Sequence, residues 1–134
     1  MKRASPFPSF SLLLPDDVSE DRDSKVASYW KPNDSCLLQM SSFLREQGPQ
    51  LSAIQRLSER MRTGGEWQPV SLTHPIKGCD IAAASTSDDE GISWVHVYLV
   101  WEWLAIHGTV ARKDDHCFCD WVWDSLLSIR PVVT

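Results

Sequence analysis

The residues best suited to chemistry in this sequence are a histidine and two cysteines close together near its C-terminal end. His116, Cys117 and Cys119 lie beside one another, and His107 precedes them by a short segment. Zinc sites use thiolate and imidazole ligands, with paired cysteines usually separated by about two to four residues. Because a single residue separates Cys117 from Cys119, the spacing favours small buried side chains. The sequence therefore predicts no metal and no other cofactor.

Histidine, cysteine and carboxylate side chains also supply the bases and nucleophiles of many enzymes. No short motif in this chain places a nucleophile beside a base, and no glycine-rich phosphate-binding loop is present. The adjacent carboxylates stand in segments predicted to be loops or helix caps: Asp16/Asp17, Asp88/Asp89 and Asp114/Asp115. These patterns predict a non-catalytic protein. A small metal- or thiol-dependent enzyme built on the histidine and cysteine cluster is the alternative.

Charge and composition narrow the class of partner. The chain has 134 residues, of which 43% are hydrophobic and 23% charged, as expected of one globular domain. Its net charge of −5 and the lack of a basic stripe argue against nucleic-acid binding. No apolar run has the length of a membrane-spanning helix. We therefore expect the partner to be another protein, with a basic surface.

The cysteines and the N-terminal segment bear on the cellular compartment. The chain has four cysteines, which is too few for a disulfide-rich secreted scaffold of this length. Three prolines, Pro6, Pro8 and Pro15, interrupt the apolar N-terminal stretch, which therefore does not match a signal peptide. The sequence predicts a cytoplasmic protein with free thiols.

Residues 1–30 are predicted to form an N-terminal arm. Prolines and serines alternate there with apolar residues, and an acidic patch follows from Asp16 to Asp23. The phenylalanines and leucines of the arm require cover. We expect the arm to pack on its own domain or, as an exchanged arm, on a second copy in a homodimer. Residues 31–134 are predicted to form a single globular domain.

Periodicity predicts a mainly helical structure for that domain. Residues 33–48 and 49–63 each show a helical stripe, and Gly48-Pro49 between them suits a helical hairpin. Residues 67–72 contain Pro69 and are at best an edge strand. Residues 79–84 are a short apolar stretch, and residues 85–91 have the composition of a loop.

Two apolar segments follow, and their type decides the fold class. Residues 92–106 fit both a strand and a helix; their length favours a helix, and their β-branched and aromatic content favours a strand. Residues 115–129 keep helical spacing. With both segments taken as helices, the predicted fold is α+β and mainly helical. It comprises a helical hairpin, a short irregular β region and a Trp-rich C-terminal hairpin.

Five of the seven tryptophans lie between Trp94 and Trp123, in a region that includes the pairs Trp101/Trp103 and Trp121/Trp123. Helical residues two positions apart point about 200° away from each other. One member of each pair can then enter the core while the other faces outward. Trp103 and Trp123 are the predicted interface anchors, because tryptophan is enriched at the energetic centres of interfaces.

The predicted function is that of a non-catalytic protein–protein interaction module. It resembles in profile a small acidic inhibitor or immunity-type protein of bacteria or phage, which would occlude a partner's surface. Carboxylates would steer a basic partner and tryptophans would anchor it. The predicted partner-binding residues are Trp103, Trp123, Asp88, Asp89, Glu90, Asp114 and Asp115. A structural subunit of a homo-oligomer is a further alternative.

Overall fold

The computed structural model of this chain is rich in β-structure. It describes residues 1–32, 36–45, 48–62, 64–71, 76–88, 90–112 and 120–132, with only the backbone of Arg112. Strands account for 50% of the structure and helices for 15%. The predicted mainly helical α+β fold is therefore wrong.

Ten strands and two helices are found in the described ranges. The strands are β1 (Lys2–Phe7), β2 (Phe10–Leu14), β3 (Ser19–Arg22), β4 (Ala27–Trp30), β5 (Cys36–Leu44), β6 (Gln68–Pro69), β7 (Asp80–Ser87), β8 (Ser93–Val100), β9 (Leu104–Arg112) and β10 (Arg130–Pro131). The helices are α1 (Ala53–Met61) and α2 (Asp120–Leu127).

The strands form two antiparallel sheets. The small sheet has three strands in the order β1-β2-β10, and the large sheet has seven in the order β3-β4-β5-β9-β8-β7-β6. The longest ladder joins β5 to β9, from the pair Cys36 and Arg112 to the pair Leu44 and Leu104. Strands β8 and β9 form a hairpin beside it. These central ladders hold together parts of the chain that are far apart in sequence.

Alternation along the strands gives the large sheet two different faces. In β5, Leu38 and Met40 are buried, whereas Leu37 and Gln39 are half-buried. The side that holds Leu38 and Met40 packs against the small sheet and helix α2, in a core that includes Phe10, Leu12, Leu14, Trp121, Val122 and Leu126. We call this side the inner face and the opposite side the outer face.

The predicted helix at residues 33–48 is wrong, because strand β5 occupies most of this segment. Apolar residues in this stretch fit both a period of two and a helical period. Pairing with β4 on one side and β9 on the other satisfies the backbone of β5 as a central strand. The tertiary context therefore decided between two periods that the sequence alone allows.

The predicted helix at residues 92–106 is also wrong. This segment forms β8, a tight turn at Glu102-Trp103 and the start of β9. The backbone N–H of Trp101 donates to the carbonyl of Leu104 at 2.8 Å and closes the turn. The β-branched and aromatic content of the segment was the correct signal, and its length was not, because two strands share it.

The predicted helix within residues 49–63 is confirmed by α1. Ser52 is its N-cap: the Ser52 hydroxyl accepts from the Gln55 N–H, and the Gln55 side chain accepts from the Ser52 N–H. The carboxylate of Asp80 also accepts from the Ala53 N–H at 2.8 Å, which ties the helix to β7. The helical hairpin is nevertheless wrong, since the segment before α1 is a strand.

Two further local predictions agree with the structure. Helix α2 lies inside the segment 115–129 that was predicted to be helical. Strand β6, which contains Pro69, lies at an edge of the large sheet as its missing N–H requires. Neither described helix is long and apolar enough to span a bilayer.

Residues 1–30, for which an arm was predicted, form strands β1 to β4. Phe10, Leu12 and Leu14 of β2 are almost fully buried in the inner core, and Tyr29 of β4 is buried as well. Strands β3 and β4 continue the large sheet. The apolar residues of this segment thus find their cover within the same chain.

The prediction that all the cysteines are free thiols is wrong. Cys79 is free, whereas Cys36 is disulfide-bonded, and its partner lies outside the described residues. The predicted cluster of His116, Cys117 and Cys119 also lies outside them.

Candidate functional site

The outer face of the large sheet is covered unevenly. Helix α1 packs Ala53 and Leu57 over side chains of β7, β8 and β9 in a second core, which includes Ala84, Tyr98, Val100 and Ala105. The outer side chains of β4 and β5 belong to neither hydrophobic core of the described residues. We call this area the open face and define it by Ser28, Trp30, Leu37, Gln39, Ser41 and Phe43.

The open face has aromatic residues at two corners and polar residues between them. Trp30 is 36% exposed and Phe43 is 48% exposed. Between them, the side-chain amide of Gln39 donates to the Ser28 hydroxyl at 3.2 Å. Sheet pairing holds these side chains in a fixed array. Such a surface can bind by contact and hydrogen bonding, which is typical of protein interfaces.

An acidic border runs along the free edge of the large sheet beside the open face. Asp21 of β3 pairs with Ser28, so its side chain lies on the outer side, and Glu20 next to it is exposed. Asp16 and Asp17 precede β3 and are highly exposed, although each is near a cationic group: Asp16 with the N-terminal amine at 3.7 Å, and Asp17 with Lys31 at 3.4 Å. The acidic border comprises Asp16, Asp17 and Asp21, whereas Glu20 pairs with the inner-core residue Tyr29 and lies on the other side of the sheet.

Four rings lie between the open face and α1, and we call them the ring cluster: Trp67, His96, Tyr98 and His107. The ring of His107 stacks on Tyr98 with centroids 4.5 Å apart, and on His96 at 5.2 Å. Trp67 contacts His96 at a centroid distance of 5.2 Å. Tyr98 and His107 are directly opposed in the β8–β9 ladder, so the sheet register itself positions this stack.

Hydrogen bonding in the ring cluster involves both histidines. Nδ1 of His96 and Nε2 of His107 are 3.0 Å apart, so one imidazole donates and the other accepts. Burial and, to a smaller extent, the positive charge of Arg60 together lower the pKa of His96 to about 4. Burial likewise lowers the pKa of His107 to about 3, again with help from Arg60. Both rings are therefore neutral near pH 7, as a mutually bonded pair requires.

Ser41 and Thr109 carry hydroxyl side chains that neighbour His107 in the sheet. Ser41 is opposite His107 in the β5–β9 ladder, but no hydrogen bond between the two is present. Nε2 of His107 lies 3.5 Å from the Thr109 hydroxyl, at the limit of a hydrogen bond. Burial raises the pKa of the Cys79 thiol to about 12, so this cysteine stays protonated at neutral pH. This geometry resembles a packed polar network more than a catalytic group.

The histidine and cysteine cluster, for which the sequence predicted no metal, is only partly within the described ranges. Of its residues, His107 is described and is bonded to His96. Among the described side chains, no three histidines, cysteines or carboxylates converge in a way that could hold a metal ion.

The structure separates Trp103 from the acidic residues predicted to act with it. Trp103 lies in the turn between β8 and β9, half-buried against the inner core. Asp88 and Glu90 lie in the turn between β7 and β8, at the opposite end of β8. Eight residues of extended strand separate the two turns, which corresponds to about 26 Å. One small epitope cannot contain both.

The other predicted binding residues have varied surroundings. Trp123 of α2 is half-buried and packs against the inner core. The Asp88 carboxylate accepts from the Trp94 indole at 3.0 Å and from the backbone N–H groups of Ile92 and Glu90, and these bonds lower its pKa. Asp88 therefore stabilises its turn. Glu90 is exposed. Asp89, Asp114 and Asp115 lie outside the described residues.

Sequence reasoning missed the open face, including Trp30 and Phe43. The signal that could have found it is the alternation of Cys36, Leu38 and Met40, which places the odd-numbered residues of β5 on the other side. The apolar residues of the same segment also have helical spacing, and a helix was therefore predicted there.

Comparison with known proteins gives a structural likeness only. No protein-family model matches the chain, and no curated protein matches it. A crystal structure from Bacteroides thetaiotaomicron VPI-5482 is similar, with a TM-score of 0.59 and 12% sequence identity over 92% of this chain and 45% of that one. The chain therefore spans less than half the length of that protein. At this identity the likeness shows that the two share a fold.

Proposed function

We propose that this chain is a non-catalytic protein-binding module that occludes a surface of its partner. The observation that supports this most is the open face. Two strands of the seven-stranded sheet, β4 and β5, present their outer side chains outside both cores of the described residues, with Trp30 and Phe43 exposed. Protein interfaces are enriched in aromatic residues and combine them with hydrogen-bonding side chains, as this face does.

Charge supports a basic partner. The acidic border lies along the edge of the open face, and the chain as a whole has a net charge of −5. Carboxylates at the rim of an interface speed the encounter with a positively charged surface and orient it. Trp30 and Phe43 would then lose contact with water and supply the free energy of binding.

The chemistry of the described side chains supports a role without catalysis. The imidazoles of His96 and His107 bond to each other, and their lowered pKa values leave them neutral at pH 7. A general base works best with a pKa near the working pH, and these two lie well below it. Their geometry is better suited to holding β8 and β9 together.

The anchors predicted from the sequence form a second part of the proposal. Trp103 and Trp123 are both half-buried, so each has ring surface available for a partner. Both tryptophans lie outside the open face, so they would contact a partner separately from it. The steering charges predicted with them are Asp88, Asp89, Glu90, Asp114 and Asp115. Asp88 and Glu90 lie at the other end of β8 from Trp103, so they would attract a basic partner from outside its contact with that tryptophan.

Trp30→Ser combined with Phe43→Ser tests the role of the open face. Tagged wild-type protein is used to capture partners from its host, and the partner's dissociation constant is then measured for each variant. We expect the double variant to weaken binding by tenfold or more, because exposed aromatic anchors each contribute roughly 1–4 kcal/mol. Circular dichroism verifies that the fold is retained.

Val132→Ser is the matched control, because Val132 is similarly exposed at 39% but lies beyond β10. We expect it to bind like the wild type. Equal binding by the double variant and the wild type would contradict the proposed face. Recovery of a second copy of this chain as the only partner would support the homodimer alternative instead.

A further inference from the structure

A cleft of about 400 Å³ lies on the side of the molecule away from the open face. Residues of β2 alternate, so that Leu12 and Leu14 enter the inner core while Ser11 and Leu13 face away from it. Leu13, the end of α2 and the loop before β7 contribute to the cleft wall. Its volume falls in the range of small-ligand sites, roughly 300–1,000 Å³.

Three cationic side chains from different parts of the chain line this cleft: Arg3, Lys77 and Arg130. The small sheet brings two of them together, since Arg3 pairs with Leu13 and Arg130 pairs with Ser11. Both arginines therefore lie on the outward side of β2. The Arg3 guanidinium is oriented by a hydrogen bond from its Nη1 to the Ser11 hydroxyl at 3.0 Å.

No acidic residue is found among the described residues that line the cleft. None of its three cations takes part in an ion pair within the described ranges. This is unusual for a chain with a net charge of −5, in which carboxylates outnumber lysines and arginines. Three like charges around one cleft repel each other, and an anion between them removes that cost.

The rest of the wall is apolar and held in place. Trp101 and Ile76 line the cleft beside the cations. The Ser128 hydroxyl donates to the Ser125 carbonyl at 2.6 Å and accepts from the Leu13 N–H at 2.7 Å. These bonds join the end of α2 to β2, so the cleft is formed before any ligand enters.

We propose that this cleft binds a multiply charged oxyanion of the phosphate or polycarboxylate class through Arg3, Lys77 and Arg130. Guanidinium groups form paired hydrogen bonds with the oxygens of such anions, and Lys77 adds a point charge. An apolar part of the ligand would lie against Trp101 and Ile76. The inference does not depend on the proposed protein-binding role, because the open face lies on the other side of the large sheet.

Calorimetric titration at low salt with inorganic pyrophosphate and with citrate tests this proposal. The key variant combines Arg3→Gln with Arg130→Gln, whose side chains are exposed and therefore replaceable without unfolding. We expect it to weaken anion binding by about tenfold or more, because each lost charge-assisted hydrogen bond contributes roughly 1.5–3 kcal/mol. Lys77→Gln alone is expected to weaken binding in the same direction.

Lys2→Gln combined with Lys25→Gln is the control, because it removes the same charge at exposed positions that do not line the cleft. We expect its affinity for either anion to stay close to that of the wild type. Binding of pyrophosphate alone assigns the cleft to phosphates, binding of citrate alone to carboxylates, and binding of both to oxyanions generally. The proposal is overturned if neither anion binds the wild type at millimolar concentration, or if the control weakens binding as much as the arginine variant.

Discussion

Two imidazoles are buried in the ring cluster, and their burial makes the stability of the fold depend on pH. In the folded protein the pKa values of His96 and His107 are about 4 and about 3, whereas the ordinary value is 6.5. Between those values the unfolded chain binds protons that the folded chain does not. The free energy of unfolding must therefore be fully retained above pH 6.5 and fall as the pH is lowered toward 4.

His96→Phe combined with His107→Phe tests this dependence at the residue scale. The variant keeps two stacked rings and removes both titrating groups, so we expect its free energy of unfolding to fall less steeply between pH 6.5 and 4. Urea unfolding at several pH values measures the difference from the wild type. Thr109→Val changes the neighbouring hydroxyl without removing a titrating group, and its curve should keep the wild-type slope. Parallel curves for the wild type and the double variant would show that other groups govern the dependence.

Helix α2 lies close to strand β9 on the inner face at Gly108. A Cβ atom placed at Gly108 of β9 would lie 3.1 Å from Cδ2 of Leu126 in α2. Gly108→Val therefore crowds the Leu126 side chain, which must shift, and we expect a loss of about 1–3 kcal/mol in the free energy of unfolding. Chemical denaturation measures it. Ser41→Val, at a half-buried outer position of β5, is the control and should change stability by no more than about 0.5 kcal/mol. Equal losses in both variants would show that the β-branched side chain itself lowers the free energy of unfolding, and that the contact with α2 is not the cause.

Elements whose signals are local were predictable, and those defined by distant partners were not. The cap of α1 is formed by Ser52 and Gln55, which are three positions apart, so this helix depends on local sequence, although its start was predicted at Pro49. Strand β9, in contrast, is defined by simultaneous pairing with β5 and β8. The residues of β9 alone do not indicate those partners. The open face was missed for the same reason, since it exists only once β4 and β5 are paired.

The molecule as a whole has an inner face that is filled and an outer face that is only partly covered. The inner core contains residues from the small sheet, the large sheet and α2, whereas α1 covers β7 and β8 of the outer face. As a result, the two proposed binding sites lie on different sides of the molecule. The open face with its acidic border is proposed to bind a basic protein, and the cationic cleft behind the small sheet is proposed to bind an anion.

The Cys36 disulfide bears on where the whole molecule is located. The sequence predicted a cytoplasmic protein with free thiols, and a cytoplasmic location stays a proposal, although structural disulfides usually persist in oxidising compartments. Alkylation of acid-quenched host cells, followed by mass analysis, measures the state of each thiol. We expect Cys36 to be protected from alkylation until a reductant is added, while Cys79 reacts once the protein is unfolded. Alkylation of Cys36 without reductant would support a reducing cytoplasm.

The sequence by itself determined that a helix lies within residues 49–63, the edge position of Pro69, the helical character of the segment around α2 and the acidic balance of the chain. Each of these depends on residue type or on neighbours within one helical turn. Only the tertiary structure decided that His96 bonds to His107 and that Trp30 and Phe43 stay outside the cores. It also decided that residues 36–44, 93–100 and 104–112 are strands. Their apolar residues fit both a strand and a helical period. The choice followed from hydrogen bonds and burial supplied by distant strands, which no local pattern contains.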